Sequence, residues 1–356
     1  MKRVLVCGAG GSPATNFVRS LRRMAEPLRL IGVDCDPFTL ERAETDLRVL
    51  VPRADDPAYL PVLNEIIAEQ HVEFVHAQND IELEFLSAHR DRLKAKVFLP
   101  PHGTVEICVD KFRSYQIWKE AGIAVPQTRL LHTAKDLRAA MKDLGPRVWL
   151  RNIKGAAGAG SYPTDSCDEA REWIEFQKGW GHFTAAQCLT SETVTWMSLW
   201  SRGELIVAQG RKRLSWELGN RAPSGVTGVT GTGMTFAHPQ LDQIAMKTIR
   251  AVDAKPDGIF SVDCTYDAAG VPNPTEINIG RFFTTHLFFT EAGLNMPELF
   301  VRLAFGEPLP PIPVRFNPLP NNLLWVRGVD FLPRLTTLAS VERSRRELDE
   351  RRAMLT

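Results

Sequence analysis

The sequence predicts two halves of different class: an α/β doubly wound parallel sheet, then an α+β region. Three observations carry this. In residues 1–104 short apolar runs alternate with amphipathic helical stretches, the pattern of strands joined by covering helices. Beyond residue 105 strand-like runs follow one another, with helical stretches at their ends. Near the close of that second half, GIFSVDCTYDAAGVPNPTEINIGR (258–281) sets two acid-bearing strands side by side.

Each element follows from local pattern. RVLVC (3–7) reads as a buried strand, GAGGSP as a tight turn, and ATNFVRSLRRM as a helix with Phe17, Val18 and Leu21 inward. LRLIGVD (28–34) is a second strand ending in Asp34. PAYLPVLNEIIAEQ is a helix with a stripe of Leu60, Val62, Leu63, Ile66 and Ile67. VEFVHAQ (72–78) is a third strand, DIELEFLSAHRDRL a helix, and KVFLP (96–100) a fourth strand, with PPHGT closing the unit. In the second half Asp110 is placed to cap a helix bearing Phe112, Tyr115 and Trp118, which Gly122 ends. RVWLRNIKGAAGAGSYPT is a strand, a glycine-rich loop and a strand. FTAAQCL and VTWMSLWSRGELIVAQGRKR are further strands, the last two turning at Arg202–Gly203. HPQLDQIAMKTIRAVDA is a helix, and another begins after Asn295. The tail from about 312 is less regular and ends in a charged, solvated helix, SVERSRRELDERRAML.

Composition narrows the classes of function. The 356 residues suit two or three domains. Formal net charge is +1, from 43 basic and 42 acidic residues, so nothing asks for nucleic acid or an anionic membrane. The six cysteines stand far apart without CxxC spacing, as expected of reduced thiols in a cytoplasmic protein. The N-terminal apolar run stops after four residues at glycine, too short for a signal peptide, and no apolar stretch reaches membrane-spanning length.

The acidic strands carry the chemistry. Val262, Cys264 and Tyr266 alternate with Asp263 and Thr265, and Glu276 and Asn278 share a face of the second strand. A hairpin would gather Asp263, Glu276 and Asn278 as oxygen ligands, a set that suits Mg²⁺ with water and phosphate, with Mn²⁺ as a second option. Arg281 follows, where a cation meets carboxylate or phosphate. A solvated acidic hairpin is the plainer alternative. The N-terminal turn offers a rival chemistry. Gly8 and Gly10 fit the dinucleotide fingerprint and Asp34 ends the second strand, but the third glycine is Pro13.

Read in order, DK…EAGIAVPQT (110–128), VWLRNIKGAAGAGS (148–161), AAQCLTSETV (185–194), SRGEL (201–205), GIFSVDCTYDAAG (258–270) and TEINIGR (275–281) resemble the ATP-grasp superfamily. The first 104 residues resemble the Rossmann-like domain preceding that fold in carbamoyl-phosphate synthetase and biotin carboxylase. The resemblance implies a grasp region over 105–312, with a lid at about 125–190, and a C-terminal extension over 313–356. It implies ATP-driven activation of a carboxylate as an acyl phosphate and its transfer to an amine, with small-molecule partners and homodimerisation left open.

By the same resemblance, Lys111 and Arg151 meet the nucleotide phosphates, Arg151 standing where the family mostly has lysine. Gly155, Gly158 and Gly160 form the phosphate loop. Gln187, Cys188 and Leu189 are the adenine hinge, with Gln187 in place of the usual glutamate, and Glu192 holds the ribose. Asp263, Glu276 and Asn278 are the metal ligands. Arg281 faces the transferred phosphate or the substrate carboxylate, although EINIGR is one residue longer than in several relatives. Between these pieces Arg211, Arg213 and Arg221 line an anionic pocket beside Trp216, or else are solvated loop charges. Asp80 follows a strand's carboxyl end, where substrates of open sheets collect, or else is a charged helix start. The alternatives are a carbamoyl-phosphate-synthetase-like phosphorylating enzyme and, in another class, an NAD-dependent oxidoreductase using the N-terminal turn.

Overall fold

A computed structural model describes residues 1–155, 158, 160–328, 330 and 334–355. The N-terminal unit runs β1 (Arg3–Cys7), α1 (Ser12–Leu21), β2 (Arg29–Asp34), α2 (Pro37–Glu41), β3 (Leu47–Leu50), α3 (Tyr59–Glu69), β4 (Phe74–Ala77) and α4 (Asp80–Ala88). Its sheet is parallel throughout, in the order β3-β2-β1-β4. Two elements go beyond the expectation from pattern: the five-residue α2 and the strand β3, whose short LRVL run follows the polar segment ERAETD. Conversely, KVFLP forms no strand. Its one ladder contact is a bridge between Phe74 and Lys96, because the prolines at 100 and 101 cannot donate to a ladder.

Helices α5 (His102–Val109) and α6 (Lys111–Glu120) lead out of this unit, and the Asp110 carboxylate caps α6 by accepting from the Phe112 and Arg113 amides. A second sheet, order β5-β8-β6-β7, is antiparallel: β5 (Thr128–Leu131), β6 (Val148–Asn152), β7 (Tyr162–Thr164) and β8 (Phe183–Gln187). Helices α7 (Ala134–Leu144) and α8 (Cys167–Phe176) cover it, and this sheet keeps its own core around Leu131, Val148, Leu150 and Phe183.

The third sheet is the largest, order β13-β12-β9-β10-β11-β14. Its strands are β9 (Thr193–Ser201), β10 (Glu204–Arg213), β11 (Thr232–Phe236), β12 (Gly258–Tyr266), β13 (Pro272–Ile279) and β14 (Leu324–Val326). Helices α9 (Pro239–Val252), α10 (Leu287–Glu291) and α11 (Met296–Phe305) accompany it. The six strands share apolar cores with the N-terminal unit. Trp196, Trp200 and Phe260 join Leu5, Val75 and Ile66, while Met197 and Ile259 join Val4, Val6 and Phe17. Burial on both faces thus fixes the N-terminal sheet against the large sheet.

The last helix, α12 (Leu338–Met354), departs from a purely solvated reading. It lies on α2 and β3, buries Val341, and pairs Arg351 with Glu65 and Glu69 and Arg352 with Asp56. Among the described residues no helix is long and apolar enough to cross a membrane.

Candidate functional site

Strand register builds the centre of the site. Asp263 stands opposite Glu276 across β12 and β13 and opposite Thr195 across β12 and β9, so all three side chains share one face. Thr195 in turn stands opposite Arg211 of β10. The ladder then slips: Cys264 pairs with Pro274, leaving Thr275 as the extra residue of a bulge. Its carbonyl, out of the ladder, accepts from the Arg151 guanidinium at 2.6 Å.

Asp263 is almost wholly buried and fully engaged. Its Oδ1 accepts from Arg213 at 2.7 Å and from Thr195 Oγ1, and its Oδ2 accepts from Asn278 Nδ2 at 3.2 Å. Burial works to raise its pKa, but Arg213, Thr195 and Arg211 hold it below the ordinary aspartate value. Glu276 lies 3.5 Å from Lys111 Nζ. Arg213 also stacks over the Trp216 ring at 4.4 Å. Arg211 is buried to 1% exposure, donates to Thr195 and Thr285, and lies over the Phe283 ring. Burial and the neighbouring Arg213 push its pKa well down. Arg211 is therefore a buried cation, not a solvated loop charge. Arg221 differs: it stands exposed on the short turn Gly219–Arg221.

Arg281 and Asp80 hold each other. The guanidinium forks across both carboxylate oxygens at 2.5 and 3.1 Å and also donates to Asn278 Oδ1 at 2.7 Å. Burial opposes ionisation of Asp80, yet Arg281 and Lys111 bring its pKa below the usual range. Asp80 thus serves as the counterion that ties the N-terminal sheet's carboxyl edge to the acidic strands.

Lys111 Nζ donates to the Gly155 carbonyl at 2.6 Å, and its amide bonds Ile153, so it supports the glycine loop as well as facing Glu276. Residues 156, 157 and 159 of that loop lie outside the described residues. Gly158 and Gly160 have φ of 66° and 77°, and a Cβ at Gly158 would stand 2.4 Å from the Val226 carbonyl. Gly158 therefore packs closely against the segment that follows Arg213. Burial lowers the Arg151 pKa, opposed by Glu276 and Asp263.

Gln187, Cys188 and Leu189 leave β8 and line a cleft of about 490 Å³ with Val125, Asp267 and Asn273. Glu192 does not line it. Its side chain is exposed and lies 3.7 Å from Lys212.

The N-terminal glycine turn offers no dinucleotide cradle. Asp34 Oδ2 accepts from the Gly10 amide and Oδ1 from the Asp36 amide. A Cβ at Gly10 would overlap the Thr39 carbonyl, so α2 fills the space over the turn. Beside it, Glu82 is buried under Tyr59 and Asn79, and burial raises its pKa to about 7. The NAD reading finds no support.

Thr195, Thr230, Thr275 and Thr285 escaped the reading of the sequence, as did Arg327 and Asp330. For Thr195 a signal existed, since it is the cross-strand neighbour of both Asp263 and Arg211. Among the described residues no group of three His, Cys, Asp or Glu side chains could hold a metal. The acidic strands offer two carboxylates and an amide, an all-oxygen set that fits Mg²⁺ completed by water and phosphate.

Residues 4–98 match the family described as PylC-like, N-terminal domain. No curated protein matches the chain. Three solved structures are similar over most of their length. Biotin carboxylase from Campylobacter jejuni, solved as a β-γ-ATP complex, has TM-score 0.68 at 15% identity, covering 86% of this chain and 72% of that one. The biotin carboxylase domain dimer of Hydrogenobacter thermophilus 2-oxoglutarate carboxylase, with MgADP and bicarbonate, has TM-score 0.68 at 15% identity, covering 91% and 73%. L-amino acid ligase from Bacillus licheniformis has TM-score 0.65 at 16% identity, covering 85% and 74%. The likeness is one of fold.

Proposed function

We propose that this chain, whose ATP-grasp fold follows a PylC-like N-terminal domain, is an ATP-dependent ligase that joins a small carboxylate to an amine and releases ADP and phosphate. The observation that carries the reading is the one-face assembly of Asp263, Glu276 and Asn278, ringed by Lys111, Arg151, Arg213 and Arg281. Phosphoryl transfer asks for positioning and charge neutralisation more than for covalent help, and such a ring supplies both.

In this reading Asp263, Glu276 and Asn278 would hold Mg²⁺, which supplies charge neutralisation at the β- and γ-phosphates when bound. Arg213 is the counterion of Asp263 in the structure, held there by Thr195, Thr230 and Trp216, and would lend its charge to the phosphate end of the site. Arg151 reaches the phosphates from β6, and Lys111 reaches them from the start of α6 beside Gly155. The cleft at Gln187, Cys188 and Leu189 takes the adenine. Arg281, oriented by Asp80 and Asn278, faces the acyl group. Glu192 as a ribose ligand needs its Lys212 contact to open, and Arg221 needs its loop to fold inward. A homodimer is a further element of the proposal, checked by light scattering.

The test is an ADP-release screen over carboxylate–amine pairs with Mg²⁺, bicarbonate included, and mass detection of products. An amide product supports the ligase. A released acyl or carboxy phosphate moves the reading to the phosphorylating alternative. A chain that binds no Mg·ATP refutes both.

A further inference from the structure

The C-terminal extension returns to the centre of the molecule. Strand β14 adds to the edge of the large sheet, antiparallel to β11, with Thr232 opposite Val326 and Met234 opposite Leu324. Trp325 stacks on Phe288 and fixes that register. The next residue, Arg327, is nearly sealed from solvent, with a side chain only 6% exposed. Its guanidinium donates to the Thr230 carbonyl at 2.7 Å, to Ser12 Oγ at 3.3 Å and to both oxygens of Asp330. Asp330 also accepts from Asn16 Nδ2, which donates to the Thr284 carbonyl as well.

Two parts of the site meet through these contacts. Thr230 receives Arg327 on its carbonyl and Arg213 on its hydroxyl at 3.2 Å, and its backbone bridges to Trp216, the ring beneath Arg213. Arg213 in turn grips Asp263. On the other side, Ser12 and Asn16 belong to the first turns of α1, directly after the glycine turn of the N-terminal sheet. A short edge strand with a sealed arginine behind it, each of its three guanidinium nitrogens donating, is more than a tail requires, since exposed tail arginines pair weakly.

We infer that Arg327 is a positioning residue of the catalytic cleft, which acts through Thr230 to set Arg213 against Asp263 at the γ-phosphate end. This rests on the ATP reading above. Loss of Arg327 should leave the adenine cleft untouched, because none of its contacts reaches Gln187, Cys188 or Leu189. It should slacken only the end where the third phosphate and the metal meet.

The experiment compares affinities of the full chain for Mg·ADP and for the Mg complex of the β,γ-imido analogue of ATP. In Arg327→Ala, Mg·ADP affinity should stay within about twofold, and the analogue should weaken about tenfold, the scale of one charge-assisted contact. Arg327→Lys keeps the charge but loses the fork, so it should fall between. Equal weakening of both nucleotides marks a merely structural role and overturns the inference, as does an unchanged ratio. If Arg327→Ala does not fold, Arg327→Lys carries the test, and its identity with the native protein overturns the inference. A native chain that takes up neither nucleotide fails the ATP reading itself, and a native chain that takes up both separates the two failures.

Discussion

Removing the charge of Asp263 should cost both turnover and stability, whereas removing that of Glu276 should cost turnover alone. The structure sets the contrast. In Asp263→Asn the amide can still accept from Thr195, but Arg213 loses its counterion in a setting where its own side chain is 9% exposed. Breaking one member of a buried ion pair costs ~3–5 kcal/mol when the remaining charge is fully stranded. Here Trp216 stacking and the Thr195 and Thr230 acceptors retain part of the guanidinium's environment, which places the loss near the lower end, at ~3 kcal/mol. In Glu276→Gln the lost partner is Lys111 at 3.5 Å, with Glu276 about a third exposed, so the loss should be within ~1 kcal/mol. Both variants should lower kcat by ~10²–10³, the scale of removing one electrostatic group from such a site. Urea unfolding and ADP release, measured on the same preparations, separate the effects. The stability gap between the native chain and Asp263→Asn has a pH signature. The folded pKa of Asp263 is depressed, so the gap is present above the unfolded aspartate value and closes as pH falls through the folded one, below about 3.8. Equal stability of the two variants at neutral pH would refute the reasoning, because Arg213 would then not depend on Asp263.

Further outcomes follow from the same geometry. Mg·ATP or Mg·ADP should raise the melting temperature and NAD(H) should not, since only a ligand of the native state stabilises it; a shift with NAD(H) alone would sink the ATP reading. Arg151→Ala should lower kcat/KM for ATP strongly, with partial recovery in Arg151→Lys and a milder effect in Lys154→Ala, because Lys154 is more than half exposed and pairs with Glu84 at 3.6 Å near the surface. The reverse ranking would move the phosphate assignments by three residues. Glu82 has its pKa raised to about 7, so its neutral form favours the fold, and its contribution is lost as pH rises from the ordinary glutamate range through about 7. In Glu82→Gln the unfolding free energy should lack that decline, and a parallel pH profile for both proteins would show that Glu82 does not titrate there.

The fold was readable wherever an element carried its own period. β1, β2, α3, α6, α9 and the acidic hairpin stand where the apolar pattern puts them. β3 and α2 were not readable, because four and five residues hold too little period to separate strand from turn. KVFLP shows the opposite error: it is apolar enough for a strand, but two prolines end its pairing. At the site the acids were legible because hairpin register follows from alternation. Their counterions were not. Which arginine faces Asp263 depends on the order β12-β9-β10, and the pairing of Arg281 with Asp80 joins residues 201 positions apart. Arg327 lay deepest of all, because the three-residue run LWV before it is too short to signal a sixth strand.

The order of the large sheet also decides how two copies of this chain can meet. β13 is its outer strand, and it carries Pro272 and Pro274, neither with an amide to offer a neighbour. The bulge at Thr275 further twists that margin out of line. The prolines and the bulge therefore interrupt the ladder that a second sheet would need to continue along this margin. At the far margin β14 is three residues long, too brief to template another chain. Neither margin of the large sheet thus offers a second copy a long, regular edge, and the sheet that carries the acids stays undivided within each copy.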